Sequence, residues 1–353
     1  MAGTLKQKRP TNGSSDAPEF EGYEMLRRLG YGAASTIYAI RQVDTDETFV
    51  LKQVLRRESE DARMIQQVEN EYQVGSRVDH PYVRKVYEIY RRKKHLKTRE
   101  VYLLMEYCPG VSLEQSPSRS LLDILLIFRM VADGIGGMHA QGYLHCDMKP
   151  NNIIIADNGA IRVIDLGQSC AVGTVKPRIQ GTPDYIAPEQ VKRKPLSART
   201  DVFNLGATMY WALTGRHVPT LLPKQTDRIE LANPSGGSFP SPHKLRPKVP
   251  VGVSNLIMEC CKTDPRERPA DMPSLISRLD LLIHLIAGNR LVSNRQAQEA
   301  HLAESIEHDR EQLHDLDDTD HEQEHREHPG DTKLDLGDDY AADRNQPSSQ
   351  SDS

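Results

Sequence analysis

The chain has 353 residues, 37% hydrophobic and 27% charged, with a formal net charge of −5, so it can build a sizeable core in one domain or two. From Glu299 onward 18 acidic residues stand against 4 basic ones, a net of −14, which leaves +9 on residues 1–298: a basic body and an acidic tail. No apolar stretch of signal-peptide or membrane-span type occurs, and the odd set of five cysteines, with Cys260 and Cys261 adjacent and no metal-type spacing, points to a reducing compartment, the cytoplasm.

Residues 1–20 are polar and turn-rich and read as a disordered lead-in. From Tyr23 to about Tyr107 the pattern is mostly strands, with apolar and β-branched runs at Thr36–Arg41, Phe49–Val54, Val83–Tyr90 and Val101–Glu106. One amphipathic helix, Asp61–Arg77, interrupts them. The turn Pro109–Leu113 marks a seam, after which helices dominate: Leu121–Ala140, Thr200–Thr214, Val253–Thr263 and Met272–Ala287. A strand-and-loop region, Asn152–Pro188, lies between the first two. Beyond about Arg290 the chain opens as an exposed helix and passes into Asp/Glu/His/Gln-rich low complexity.

Short motifs along this order carry the chemistry. Leu29-Gly30-Tyr31-Gly32-Ala33-Ala34-Ser35-Thr36-Ile37 is a glycine-bearing turn whose backbone N–H groups can approach phosphate oxygens with no Cβ in the way, although a plain hairpin reads the same. Lys52 ends the apolar strand Phe49-Val50-Leu51-Lys52, within reach of phosphates. Its counter-ion is expected from the following helix, which offers Glu71 and, two residues away on a different face, Glu69. The polar loop His145-Cys146-Asp147-Met148-Lys149-Pro150-Asn151-Asn152 aims three groups at one point. Asp147 suits orienting a hydroxyl and accepting its proton, Lys149 suits steadying a transferred phosphoryl group, and Asn152 offers an amide oxygen to Mg2+. Asp165, between the strand Val163-Ile164 and Gly167, suits chelating the same ion. Gly181-Thr182-Pro183-Asp184-Tyr185-Ile186-Ala187-Pro188-Glu189 follows, then Asp201-Val202-Phe203-Asn204-Leu205-Gly206. Arg268 is the expected buried partner of Glu189.

Taken in order, these motifs resemble those of the eukaryotic-type serine/threonine protein kinases, over about Tyr23 to Ile283, with wording closest to the bacterial branch. The resemblance implies an α+β, two-lobed fold with ATP in the cleft between the lobes. It divides the chain into a lead-in (1–20), a kinase domain (21–287; strand-rich N-lobe 21–107, mostly helical C-lobe 108–287) and an acidic, largely disordered tail (288–353). It makes Asp147 and Lys149 catalytic and Asn152 and Asp165 metal-binding. Leu29, Gly30, Gly32, Ile37, Lys52 and Glu71 would serve the nucleotide, with Met105 as gatekeeper and Glu106–Cys108 as the adenine-contacting hinge. The expected cofactors are ATP and Mg2+, with Mn2+ as substitute. Lys149 together with Thr182 implies serine or threonine acceptors on protein substrates, with neither nucleic acid nor a membrane span involved.

Three residues depart from the family pattern. Cys146 replaces the arginine that pairs with an activation-loop phosphate, so activity is expected not to depend on that phosphate; Ser35 stands for a glycine and Leu166 for a phenylalanine. Cys146 beside Asp147 reads as a small apolar filler in preference to a redox group. His321-Glu322-Gln323-Glu324-His325 matches a zinc-protease motif, but almost no apolar residues surround it to build a packed site, and a solvated tail is the reading kept. The rival function is a catalytically dead kinase fold that binds partners; all of Lys52, Asp147, Asn152 and Asp165 are present against it. A small-molecule kinase is disfavoured by the full Gly181–Glu189 segment. The acidic tail is expected to engage the basic body or a basic partner.

Overall fold

The computed structural model describes residues 20–31, 35–56, 62–94, 97–116, 119–222 and 239–288, together with residues 291 and 298. The chain divides into two units, Met1–Asn289 and Arg290–Ser353, and the following concerns the first. The expectations for residues 1–19, for the acidic tail with its exposed opening helix, and for His321–His325 lie outside the described residues. Phe20, assigned to the lead-in by composition, is instead buried, with its ring 5.0 Å from that of Tyr102.

The first half is an antiparallel five-stranded sheet of β1 (Tyr23–Tyr31), β2 (Ser35–Gln42), β3 (Thr48–Leu55), β4 (Val86–Lys94) and β5 (Lys97–Glu106), in the order β1-β2-β3-β5-β4. Strand side chains alternate between faces. Phe49 and Leu51 of β3 accordingly join Phe20, Tyr38, Ile40, Tyr102 and Leu104 on one face. Val50 and Val54 join Ile65, Val68, Val86, Val101, Leu103 and Met105 on the other. Lys52 falls between Val50 and Val54 and so shares the face that packs on helix α1 (Ala62–Gly75).

Helix α1 buries Ile65, Val68, Glu71, Val74 and Gly75, a stripe at helical spacing in which Glu71 is the one charged member. Gly75 lets this helix sit close to β4, because a Cβ there would come within 2.3 Å of Val86 Cγ2.

The second half is mostly helical. Helix α2 (Leu121–Ala140) starts at a capping box: Ser120 Oγ accepts the Asp123 N–H, and the Asp123 carboxylate accepts the Ser120 N–H. Short strands β6 (Val111–Ser112), β8 (Ile153–Ile155) and β9 (Ile161–Val163) form a small sheet, and β7 (Tyr143–Leu144) pairs with β10 (Cys170–Ala171). Two single turns, α3 (Pro188–Val191) and α5 (Pro242–Leu245), accompany the long helices α4 (Ala198–Thr214), α6 (Val251–Cys260) and α7 (272–288). Phe128, Val131 and Ile135 of α2 meet Val202, Leu205 and Met209 of α4, and Leu256, Ile257 and Leu275 beyond, in one core cluster. The result is the α+β, two-lobed arrangement that the resemblance implied. The Pro109–Leu113 seam, expected as a turn, contains β6, and the strand expected from Val83 begins at Val86.

Candidate active site

Three segments meet around a cavity of about 220 Å3 whose walls include Ser35, Lys52, Asp147, Lys149 and Asp165. From the sheet, Lys52 Nζ reaches Glu71 Oε2 at 2.7 Å, while Glu69 turns away to Arg91 at 2.9 Å. A second cation, Arg84, stands 3.4 Å from Glu71 Oε1. Burial works against the charge on Lys52, but the carboxylates of Glu71 and Asp165 outweigh it and hold the ammonium pKa above its ordinary value.

The loop after β7 supplies the second group. Lys149 Nζ donates to Asp147 Oδ2 at 2.9 Å and to Thr182 Oγ1 at 3.0 Å. Thr182 donates its backbone N–H at 2.9 Å and its hydroxyl at 2.7 Å to Asp147 Oδ1. Asn152 Nδ2 donates to the Asp147 carbonyl at 2.8 Å, which closes the loop on itself. His145 is fully buried; its Nε2 meets the Ile164 carbonyl and its Nδ1 accepts the Asp147 N–H, a pairing that fixes the Nε2–H tautomer.

Asp165 supplies the third. Its backbone is left-handed, φ 65°, and its carboxylate accepts the Gly167 N–H at the start of a 3-10 turn, Leu166–Gln168. The side chain is 41% exposed, with Oδ1 3.9 Å from Lys52 Nζ. Burial would raise the Asp165 pKa, but the ammonium groups of Lys52 and then Lys149 hold it below the usual carboxylate value. The Asp165 carboxylate lines the cavity as a hard oxygen donor, to which phosphate oxygens and water can add in the shell of a Mg2+-sized ion, whereas Asn152 is buried and is not among the residues lining the cavity. The carboxylate of Asp165 fits such an ion as one of its ligands. Among the described residues no group of three or more His, Cys, Asp and Glu could hold a metal alone.

Among the described residues, the other expected positions belong to the five-stranded sheet and the segment after it, and are not among the residues lining this cavity. Gly30 is the register partner of Ile37, and Ile37 of Lys52, so the first three strands carry these residues side by side. Leu29 is exposed at the end of β1 and Met105 is fully buried in β5. The Glu106 carboxylate accepts from Arg162 at 3.0 Å and from the Lys85 N–H at 3.1 Å, and the Cys108 thiol meets the Glu106 carbonyl at 3.8 Å. Gly32 lies outside the described residues.

The motif Asp201–Gly206 carried no assigned role in the sequence, and Thr208 and Asn70 were missed altogether. Asp201 accepts the His145 and Cys146 N–H groups at 2.8 and 2.7 Å and meets His139 Nε2 at 2.8 Å, gripping the loop from below. Thr208 and Asn204 of the same helix reach the Met148 and Tyr185 carbonyls. A polar stripe at positions 201, 204 and 208 of an otherwise apolar helix was the available signal, because buried polar groups demand partners. Asn70 Nδ2 points at the carbonyls of Ser169, Gly167 and Leu166 at 2.8, 3.2 and 3.4 Å and hooks α1 to the turn after Asp165. The expected pair of Glu189 and Arg268 is present and bidentate, at 2.8 and 2.9 Å.

Residues 23–278 match the protein kinase domain family. The chain belongs to that family. The chain is 27% identical over 302 residues to serine/threonine-protein kinase PknD of Chlamydia pneumoniae, covering 75% of this chain and 31% of that protein. Serine/threonine-protein kinase PrkC of Bacillus subtilis is 26% identical over 254 residues, covering 70% and 38%. A mouse protein named inactive serine/threonine-protein kinase PLK5 is 29% identical over 255 residues, covering 70% and 41%. The chain thus spans well under two thirds of the length of these relatives. A similar sequence accompanies both active and inactive names, so activity has to be argued from the side chains of the kinase domain.

Proposed function

We propose that this chain is an active protein kinase that transfers the γ-phosphoryl group of ATP to serine or threonine hydroxyls of protein substrates. The observation that carries this reading is the convergence of Lys52, Asp147, Lys149 and Asp165 on one cavity, each held by a charged or hydrogen-bonding partner. Phosphoryl transfer asks little covalent chemistry of a protein beyond positioning and charge neutralisation.

In this reading Lys52, braced by Glu71, holds the phosphates near the α and β positions. Asp147 orients the acceptor hydroxyl and takes its proton at a carboxylate oxygen, and Lys149 steadies the phosphoryl group in flight. Asp165 and Asn152 would hold Mg2+ or Mn2+, whose chemistry is to neutralise charge on the phosphate oxygens. Asn152 offers its Oδ1, since its Nδ2 is engaged by the Asp147 carbonyl. Leu29, Gly30 and Ile37 would cover the nucleotide, with Met105 behind it and Glu106–Cys108 along its adenine edge. The bridge from Lys149 to Thr182 supports serine and threonine acceptors.

Independence from activation-loop phosphorylation also belongs to the proposal. The loop around Asp147 is held by Asp201, by Thr182 and by Gln190, whose Nε2 donates to the Cys146 carbonyl at 2.8 Å, all without a phosphate. Treatment with a phosphatase should leave most activity in place. Five free thiols fit a reducing compartment such as the cytoplasm, and among the described residues no helix is long and apolar enough to cross a membrane.

The deciding experiment incubates wild type and Asp147→Asn with labelled ATP, Mg2+ and a mixture of serine and threonine peptides. Loss of a general base costs about 10²–10⁴-fold, so incorporation should nearly vanish in the variant. Equal incorporation by both proteins would make the fold a partner-binding scaffold.

A further inference from the structure

The cysteine in front of Asp147 is not a lone filler. Cys146 has a left-handed backbone, φ 64°, and its Sγ lies 3.5 Å from the Sγ of Cys170. Cys170 is brought there by the pairing of β10 with β7, which sets it opposite Leu144. The two sulfurs sit in a small apolar nest with Leu144 and Leu196; Cys146 is fully buried and Cys170 half-buried. A disulfide needs about 2.0 Å between sulfurs, so closure asks for roughly 1.5 Å of movement.

We infer that Cys146 and Cys170 form a redox modification site, a dithiol that a hydroperoxide converts to a disulfide joining the loop of Asp147 to the segment between Asp165 and Thr182. The two cysteines divide the labour. Hydrogen bonding to Cys146 lowers the Cys170 thiol to about 7 against the opposing effect of burial, with further help from the Lys176 ammonium and the Thr174 hydroxyl. The same hydrogen bond, followed by burial, raises Cys146 and keeps the proton there. The other thiols go the opposite way: burial pushes Cys108 to about 11 and Cys260 to about 12, and raises Cys261. A thiolate is the reactive form, so oxidation begins at Cys170, the more exposed of the pair.

The chemistry closes without other reagents. The Cys170 thiolate attacks hydrogen peroxide; an S–O bond forms, the O–O bond breaks and hydroxide leaves, giving the sulfenic acid. Cys146 then attacks that sulfur. The S–S bond forms, the S–O bond breaks, and the Cys146 proton leaves with the hydroxyl group as water. The two thiols lose two electrons and the peroxide gains them. A thiol reductant reverses the change.

The effect on turnover rests on the proposed kinase activity; the cross-link does not. Closing the sulfur gap moves the residue next to Asp147, in a site that tolerates displacements of about 0.5 Å. Turnover should therefore fall at least about tenfold on oxidation and return with dithiothreitol, since misplacement by about 1 Å can cost 10²-fold.

The test titrates the full chain with hydrogen peroxide, quenches with N-ethylmaleimide, digests without reduction and reads the peptides by mass spectrometry. The expected product is one peptide pair carrying Cys146 and Cys170, lighter by two hydrogens and lost on treatment with dithiothreitol. In Cys146→Ser the Cys170 sulfenic acid should persist and be trapped by dimedone, and Cys170→Ser should resist peroxide inactivation. Recovery of Cys146 and Cys170 as separate alkylated peptides after complete peroxide treatment overturns the inference, whatever the kinase assay shows. So does inactivation of Cys170→Ser equal to that of wild type.

Discussion

At the residue scale, the Asp147 carboxylate is held at both oxygens, by Thr182 at one and Lys149 at the other. Thr182→Val removes the hydroxyl that links these two groups but keeps the backbone N–H on Asp147 Oδ1. We expect kcat to fall about tenfold, the worth of some 1.4 kcal/mol, with the KM for ATP little changed, in steady-state assays with a peptide acceptor. Lys52 poses the opposite question. Removing one partner of a buried pair usually costs about 3–5 kcal/mol, because the remaining charge is orphaned. Here Arg84 also faces Glu71, at 3.4 Å, so Lys52→Met leaves that carboxylate with a cation. Nucleotide affinity should drop at least tenfold while the melting temperature moves by only a few degrees, measured by nucleotide titration and thermal denaturation; loss of the fold would show that Arg84 does not compensate. Glu71 was legible beforehand only through the family resemblance, by its place ten residues before Pro81. Arg84 was not, since nothing in the segment before β4 marks it as a partner for a helix.

At the scale of elements, the Asn70 side chain hydrogen-bonds α1 to the turn after Asp165. The Asn70 amide has two protons and three nearby carbonyls, of which Ser169 at 2.8 Å is the best placed. With each net hydrogen bond worth about 0.5–1.5 kcal/mol, Asn70→Ala should cost about 1–2 kcal/mol of stability. It should also raise the KM for ATP, because Lys52, Glu71 and Asp165 are kept in register through this helix. Denaturant melts and ATP kinetics check both parts, and a fall in stability with unchanged KM would make the contact structural only. The helices Leu121–Ala140 and Thr200–Thr214 were legible in the sequence because apolar spacing and caps are local properties; the second proved to begin two residues earlier, at Ala198. The links between elements were not legible: Asn70 and its carbonyl partners lie 96 to 99 residues apart in the chain.

For the whole molecule, two buried charges tie the helical half together. Arg268 makes its bidentate pair with Glu189, donates to the carbonyls of Lys262, Arg199 and Thr263, and lies 4.9 Å over the Phe203 ring. Arg268→Met strands Glu189, and a loss of about 3–5 kcal/mol is expected in denaturant unfolding. Asp201 governs the acid limit. Burial would raise its pKa, but the hydrogen bond from His139, the pull of His139 and His145, and the Cys146 N–H outweigh that and hold it below the ordinary value. A carboxylate depressed in the folded state stabilises fully above its unfolded pKa of about 3.9 and loses that contribution as pH falls through the folded value. Wild type should therefore lose stability steeply below about pH 4, and Asp201→Asn should be weaker at pH 7 but flatter toward acid, read from denaturant midpoints across pH.

The order and spacing of short motifs determined the family, the two-lobed plan and the identity of the charged groups around the cleft, because those depend on residue type and on periodicities that stay within one segment. Only the folded chain decided which residues support those groups. Asp201 beneath the loop, Asn70 on the turn, Arg84 behind Glu71 and Cys170 against Cys146 are contacts between segments distant in sequence. Each depends on where a buried polar or thiol group finds its partner, and that is settled by packing in three dimensions.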